Sequence, residues 1–552
     1  MGFLASLLPL AFFGVFYFYP LGAILAKSVG PQMWATWIAA DTWQVVAFTF
    51  GQAALSTLLT VVVGLPGAYL LARYKFRGQG WLRALTAVPF VMPTLVVAAG
   101  FNALLGPRGW INLGLAALGA GPIRLTGTLA AILLAHVFYN TTIILRLVGD
   151  YWSHLDPRLT QAARVLGAHP ARAFLTVTLP LLAPALLTAG LLVFIFNFTS
   201  FGVILVLGGP NFATLEVEIY RRLFAVPDLP GAAALTLMQL ACTFALAGLY
   251  TQLAARQPAF TNLRSSEFVR RALTTRRQKL MALLILAPLL GLLVAPLAAL
   301  TARSLTRFEA DRGQRPPAQP ALTLDYYRAL FENERGQAFF VTPIEALGNS
   351  ARYAGLTVVL SLALGLPTAW AFSQPRRNRL SRLIEAALLL PLGTSAVTLG
   401  LGFLIAFSRP PLNLRASPWL IPLAHTLIAF PFVTRALLPI WRSLRPSWRA
   451  AAATLGASPA ETWLRIDLPL IGRAILVAAA FAFAVSLGEF GATALLTRPE
   501  LPTAAATLYK FIGQPGALNY GRALALSVLL MLATAGSILV IERARLKGIA
   551  EF

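Results

Sequence analysis

Apolar runs of about twenty residues recur along the whole chain, divided by short stretches rich in arginine, proline and glycine, and twelve of them are long enough to cross a bilayer. The pattern predicts spans at 4–26, 45–72, 84–105, 127–149, 182–208 and 232–254, then at 280–301, 350–372, 384–407, 418–440, 471–496 and 522–542. Each is expected to be helical, because lipid offers no partner for a free backbone N–H or C=O. The first run starts at Phe3 with no basic segment before it and no clear small-residue cleavage site, so it reads as a retained span.

The two halves of the chain repeat each other. From His136 to Gly202 the sequence aligns without a gap onto His425 to Gly491, 289 positions later: Arg146 with Arg435, Trp152 with Trp441, Pro157 with Pro446, Gly167 with Gly456, Pro180 with Pro469. Upstream, Gly64-Leu65-Pro66 matches Gly365-Leu366-Pro367 and Pro89 matches Pro391, at offsets of 301 and 302. Six spans per half is an even number, so the repeats are expected to lie parallel, related by a pseudo-twofold axis along the membrane normal. The expected division is a first unit at 1–256, a linker at 257–279 and a second unit at 280–552. The linker is basic, contains serine and threonine, and has no apolar face; the Pro-rich Arg315–Pro320 reads as an irregular part of a loop on the other side.

Composition agrees with a lipid solvent: 58% of residues are hydrophobic and 12% charged, against about a quarter charged in soluble proteins. The formal charge of +25 is spread in small clusters between apolar runs, which argues against a nucleic-acid surface and for membrane topology. With the N-terminus inside, the inner loops hold about 26 Lys and Arg and the outer segments about 17, so both termini and the loops at 156–180 and 445–469 are expected in the cytoplasm. A single cysteine, Cys242, makes an intramolecular disulfide impossible.

Those two loops carry the strongest signal, Gln161 to Pro180 and Ala450 to Pro469. Asp156-Pro157 supplies an N-cap and a first-turn proline, Leu159 to Leu166 favours helix, and Gly167 is placed to end it in the left-handed conformation. A second short helix follows from Pro170, with Leu179-Pro180 expected to break it before the next span; Pro446, Gly456, Pro459 and Leu468-Pro469 repeat the scheme. The small residues Ala162, Ala163, Ala451 and Ala452 leave a shallow surface for a partner.

In these residues the chain resembles the permeases of ATP-binding-cassette importers, whose EAA loop reads Glu-Ala-Ala, three residues, Gly, nine residues, then Ile, any residue, Leu-Pro. Gln161, Ala162, Ala163, Gly167, Val177, Leu179 and Pro180 match in the first half, and Ala451, Ala452, Gly456, Ile466, Leu468 and Pro469 in the second; the leading Glu is replaced by Gln161 and Ala450. The resemblance implies an all-α polytopic membrane protein of the type I importer kind, with about twelve transmembrane helices in two parallel six-helix repeats. It implies that each loop is a coupling helix docking on an ATPase. The implied partners are two copies of an ATP-binding subunit, which bind ATP and Mg, and an extracytoplasmic solute-binding protein, all at a bacterial-type inner membrane. A fusion of two permease units, with Gly208 to Leu223 and Ser486 to Leu496, is most similar to the ferric-iron and thiamine importers, a resemblance that implies ferric iron, or else thiamine, as the cargo.

No catalytic or metal-ligating set is expected in this chain. None of its five lysines follows a glycine, so there is no Walker A loop and no ATP hydrolysis by this subunit alone. A secondary transporter with two six-span halves is the alternative, but such a protein needs several intramembrane acids or histidines for its coupling ion, and the spans offer essentially Glu489. Glu489 is expected either to face the pathway opposite Asn197 and Ser200 or to pair with Arg146 or Arg435. Glu216, Glu218 and Tyr220 follow a Gly208-Gly209-Pro210 turn and are expected at the outer mouth on a solvated face. His136 and His425 are expected near the outer surface in structural roles.

Overall fold

The computed structural model describes residues 2–255, 270–307, 321–332, 341–373, 379–410 and 412–544. The first part of the expected linker and the Pro-rich Arg315–Pro320 lie outside the described residues. Among the described residues ten helices are long and apolar enough to cross a membrane, or twelve if each of two bent pairs counts as one span, which makes this an all-α polytopic membrane protein.

The elements recur in the same order in both halves. In the first are α1 (Leu7–Ser28), α2 (Ala40–Arg73), the bent pair α3 (Gln79–Val91) and α4 (Thr94–Leu105), α5 (Leu129–His154), α6 (Pro157–Val165), α7 (Pro170–Phe198), α8 (Gly202–Leu207), α9 (Leu215–Phe224) and α10 (Leu229–Ala255). In the second are α11 (Arg276–Ser304), α12 (Pro343–Ser373), α13 (Arg379–Leu389) with α14 (Ala396–Ala406), α15 (Leu420–Ser443), α16 (Pro446–Thr454), α17 (Pro459–Gly488), α18 (Gly491–Leu496), α19 (Ala504–Gly513) and α20 (Ala517–Ala544). Helices α8 and α9 map onto α18 and α19 at the same 289-residue offset, so the register runs on beyond Gly491.

Four of the expected spans are not continuous helices. The third and ninth bend by 107° and 101°. In the third, Met92 is extended before Pro93, where a following proline disfavours the helical conformation; in the ninth, a tight turn at Leu390–Gly393 ends in extended Thr394. The fifth stops at Phe198 and resumes at Gly202, and the eleventh stops at Gly488 and resumes at Gly491. Leu179-Pro180 and Leu468-Pro469, expected to break a helix, do not. A wide turn at Phe174–Thr178, repeated at Trp463–Asp467, sends the N–H of Leu179 to the carbonyl of Phe174 and that of Leu468 to Trp463. Such a turn shifts the ladder by one residue just before the proline, whose missing N–H then costs no regular bond.

The halves are interlocked. Helix α1 packs on α12 and α14 of the second half, and α11 packs on α2 and α4 of the first. The contacts are close: a Cβ at Gly100 of α4 would stand 3.0 Å from the carbonyl oxygen of Pro296 in α11, and one at Gly402 of α14 would stand 3.0 Å from Cβ of Pro20 in α1. Tyr17 adds a hydroxyl contact to Thr394 at 2.6 Å. The largest buried cluster accordingly draws on both halves, with Leu95, Phe101 and Phe198 beside Leu300, Leu487 and Leu526. The described end of the linker, Arg271–Ala272, pairs in parallel with Tyr74–Lys75 at the end of α2.

Candidate functional site

The four chain breaks meet in the middle of the bundle. Gly202 sits against Thr94 at the bend of the third span, where a Cβ would fall 2.5 Å from the threonine hydroxyl; Gly491 sits against Ala396 at the bend of the ninth, where a Cβ would fall 2.8 Å from that of the alanine. Only glycine lets the broken ends approach so closely. Between them lies a cavity of about 360 Å³ walled by the breakpoints themselves, Met92 and Thr94, Thr199 to Val203, Pro391 to Val397, and Gly488 to Gly491.

Each half presents a buried histidine to this region, bonded through both ring nitrogens. His136 lies 3.0 Å from the Ser56 hydroxyl and 2.8 Å from that of Ser200. His425 lies 2.8 Å from the hydroxyl of Ser486, which also donates to Thr357, and 3.0 Å from that of Thr493. Both histidines are 2% exposed and sit in the bundle, not near a membrane surface as expected. The repeat contained the signal: Ser56 and Thr357 are equivalent positions too, so a histidine and a hydroxyl recur together on facing helices.

Asn197, Ser200 and Glu489 all belong to the cavity wall. Asn197 accepts from the Asn140 amide at 2.7 Å, and its carbonyl accepts from Gln52 at 2.8 Å. Glu489 is not paired with Arg146 or Arg435. Its carboxylate accepts from the backbone N–H of Ala492 at 3.0 Å and of Thr493 at 3.1 Å, and from the Thr493 hydroxyl at 3.1 Å; His425 Nε2 stands 3.2 Å away. It thus caps α18 and ties that helix to α15. The two arginines instead line a separate cavity of about 270 Å³ further along α5 and α15 toward the signature loops, sharing Phe90 and Phe432 with the central one.

Glu216 departs most from expectation. It is 1% exposed and belongs to the wall of the central cavity, because α9 turns Leu215, Glu216, Val217 and Ile219 inward against α10. The amide of Gln239 donates to it at 2.5 Å, and the Ser395 hydroxyl lies beside it. Glu218 faces away and pairs with Arg222 at 3.1 Å. Tyr220 packs its ring on Phe201, 5.4 Å between centroids.

At one end of the bundle the signature loops form two similar platforms. Asp156 caps α6 through the N–H of Arg158 at 2.9 Å, and Gly167 ends it with φ +90°, the N–H of Ala168 reaching the Ala163 carbonyl at 3.0 Å. In the second copy Gly456 has φ +84° and Ala457 reaches Ala452 at 3.0 Å. Arg445, at the place of Asp156, makes no side-chain cap; the cap moves to the next short helix, where Ser458 and Glu461 form a reciprocal box. Val165, Leu166 and Leu455 are each 87% exposed, so the platforms hold apolar side chains out to solvent. Gln161 faces a groove of about 680 Å³ beside the first platform, with Trp152 in its wall; a groove of about 690 Å³ with Trp441 lies beside the second. Ala162 and Ala451 are exposed, Ala163 is half-buried and Ala452 is buried.

The comparisons with known proteins match this arrangement. Residues 64–257 match the family model described as binding-protein-dependent transport system inner membrane component. The thiamine transport system permease protein ThiP of Brucella abortus (strain 2308) is 31% identical over 468 residues, covering 83% of this chain and 81% of its own. ThiP of Escherichia coli (strain K12) is 29% identical, covering 87% and 85%. The probable ABC transporter permease protein y4fN of Sinorhizobium fredii is 26% identical, covering 83% and 79%. With no nucleotide-binding loop of its own and two signature loops on a polytopic helical bundle, this chain belongs to the family of binding-protein-dependent transport system inner membrane components.

Proposed function

We propose that the chain is the membrane subunit of an importer driven by separate ATPases, made of two parallel permease units, with both termini and both signature loops on the cytoplasmic side. Each platform, α6 and α16, seats one ATPase copy, and a solute-binding protein delivers cargo to the opposite face. The cargo is thiamine or a closely similar organic cation, in preference to ferric iron. The single observation that carries the reading is the pair of platforms: two helices of the same length, each ended by a left-handed glycine and each holding an apolar side chain almost fully in solvent. Thiamine is favoured because relatives that align with most of this chain are thiamine transport system permeases.

The test is reconstitution of the chain in proteoliposomes with its ATP-binding subunit and solute-binding protein. The expected result is ATP-dependent uptake of labelled thiamine that excess ferric iron does not reduce. Uptake that persists without the ATPase, driven by an ion gradient, overturns the importer reading; ATP-dependent uptake of ferric iron and not of thiamine overturns the cargo.

A further inference from the structure

The two carboxylates of the central cavity have opposite surroundings. Glu489 has its oxygens occupied by two backbone N–H groups, a hydroxyl and an imidazole. Glu216 is hydrogen-bonded by neutral groups, the Gln239 amide and the Ser395 hydroxyl; the one charge that acts on it is the like charge of Glu489, and it makes no ion pair among the described residues. Gln239 is itself fully buried, and its amide oxygen has no hydrogen-bond partner among the described residues. A carboxylate and an amide oxygen therefore lie together out of water with acceptor capacity to spare, and a buried charge without a counter-charge is costly. No lysine or arginine is among the residues that line the cavity.

The repeat shows that the fold does not need this acid. Helix α19 occupies the position of α9 in the second half, and the residue equivalent to Glu216 is Ala505, also buried. The position of Glu489 is occupied in the first half by Ser200. Each half thus gives the cavity one carboxylate at a position where the other half has none, and the one on α9, unlike Glu489, accepts from no backbone N–H of a helix end among the described residues. The wall also carries aromatic rings, with Phe90, Tyr139, Phe196, Phe432 and Phe481 among the residues around the chamber. Aromatic faces attract cations and accept flat rings, so the lining and the charge ask for the same kind of guest.

We propose that Glu216 is the cation-recognising residue of the central cavity, its carboxylate taking the positive charge of a flat heteroaromatic cargo while Gln239 holds the carboxylate in place. This rests on the permease reading above and adds to it the residue that discriminates charge within the membrane.

The experiment uses the chain assembled with its ATPase subunits in nanodiscs, without the solute-binding protein, so that only the permease can select. The probes are thiamine and its deaza analogue, in which carbon replaces the charged ring nitrogen and the molecule is a neutral isostere. The wild-type complex is expected to bind thiamine about tenfold more tightly than the analogue, the scale of one charge-assisted contact. Glu216→Gln keeps the shape and the bond from Gln239; it is expected to weaken thiamine binding about tenfold and leave the analogue unchanged, with ATPase assembly as in wild type. Glu216→Ala, which copies the residue of the other half, is expected to do the same if the glutamine variant assembles poorly, and Glu216→Asp to retain the preference in part. Unchanged discrimination in Glu216→Gln or Glu216→Ala overturns this inference and leaves the functional reading standing. A wild-type complex that neither binds thiamine nor transports it in the complete system overturns both.

Discussion

Phe201 and Phe490, repeat-equivalent residues 289 positions apart, lie face to face with ring centroids 5.4 Å apart and planes 16° from parallel. Tyr220 packs on the first and Tyr509 on the second, and these tyrosines are equivalent to one another and meet edge to face at 6.4 Å. Both phenylalanines are in the cavity wall, and the four rings form a symmetric aromatic cluster across the seam between the halves that is expected to act as a stopper. Stacked aromatic pairs contribute about 0.5–1.5 kcal/mol beyond their buried area, enough to hold a closed state and little enough to be opened by binding energy. Phe201→Ala and Phe490→Ala are each expected to raise ATP-independent efflux of thiamine from preloaded proteoliposomes several-fold. Efflux at the wild-type rate in both variants contradicts the stopper.

The clamp that fastens each platform to the following span differs in chemistry at equivalent positions. Thr160 and Thr178 share a hydrogen bond of 3.0 Å in the first half; Arg449 and Asp467 form an ion pair of 3.0 Å in the second, with the arginine over the Trp441 ring. Asp467 is 6% exposed, so removing its partner strands a nearly buried carboxylate at a cost of roughly 1–3 kcal/mol, against about 1 kcal/mol for losing the threonine pair. Arg449→Ala is expected to weaken ATPase association more than Thr160→Ala, measured by copurification. The double substitution of Arg449→Thr with Asp467→Thr, which copies the first clamp, is expected to recover most of the loss.

Gly167 and Gly456 isolate a backbone effect from a packing one. Both have positive φ, and a Cβ at either would meet nothing within 4 Å. A side chain there has room but the wrong conformation, costing about 1–2 kcal/mol for a branched residue and less for asparagine. Gly167→Val and Gly456→Val are expected to lower substrate-stimulated ATPase activity, while the asparagine variants stay near wild type. Valine variants with full stimulation sink the assignment of these turns to coupling.

Glu489 and Glu216 are expected to separate in a stability assay. Glutamine at 489 retains one accepting oxygen and turns an NH₂ toward donors that need an acceptor, so Glu489→Gln is expected to destabilise the bundle by roughly 2 kcal/mol. Glu216→Gln is expected to change thermal stability little. A thermal-shift measurement on the purified chain in detergent compares them, and equal effects go against a capping role for Glu489.

Hydrophobic runs, the constant offset and the residues Pro157, Gly167, Pro446 and Gly456 were enough to read the helical membrane class, the two-part repeat and the left-handed ends of both platform helices. These properties are local: solvent selects a long apolar run, and a few neighbouring dihedrals select a helix end. The bends before Thr94 and Ala396 and the breaks after Phe198 and Gly488 were hidden inside apolar stretches, because hydropathy reports burial in lipid or protein alike and is blind to where an apolar helix stops. The positions of the charged and polar side chains were hidden for a related reason. Glu216 read as an outer, solvated acid and became a cavity wall only when α9 packed against α10 beside the turn of the other half; Glu489 found His425, 64 residues away, and not an arginine of its own region. Which polar groups face one another across the bundle depends on the exchange of α1 and α11 between the halves and on the glycine contacts that draw the breaks together, relationships between residues hundreds of positions apart that no local pattern encodes.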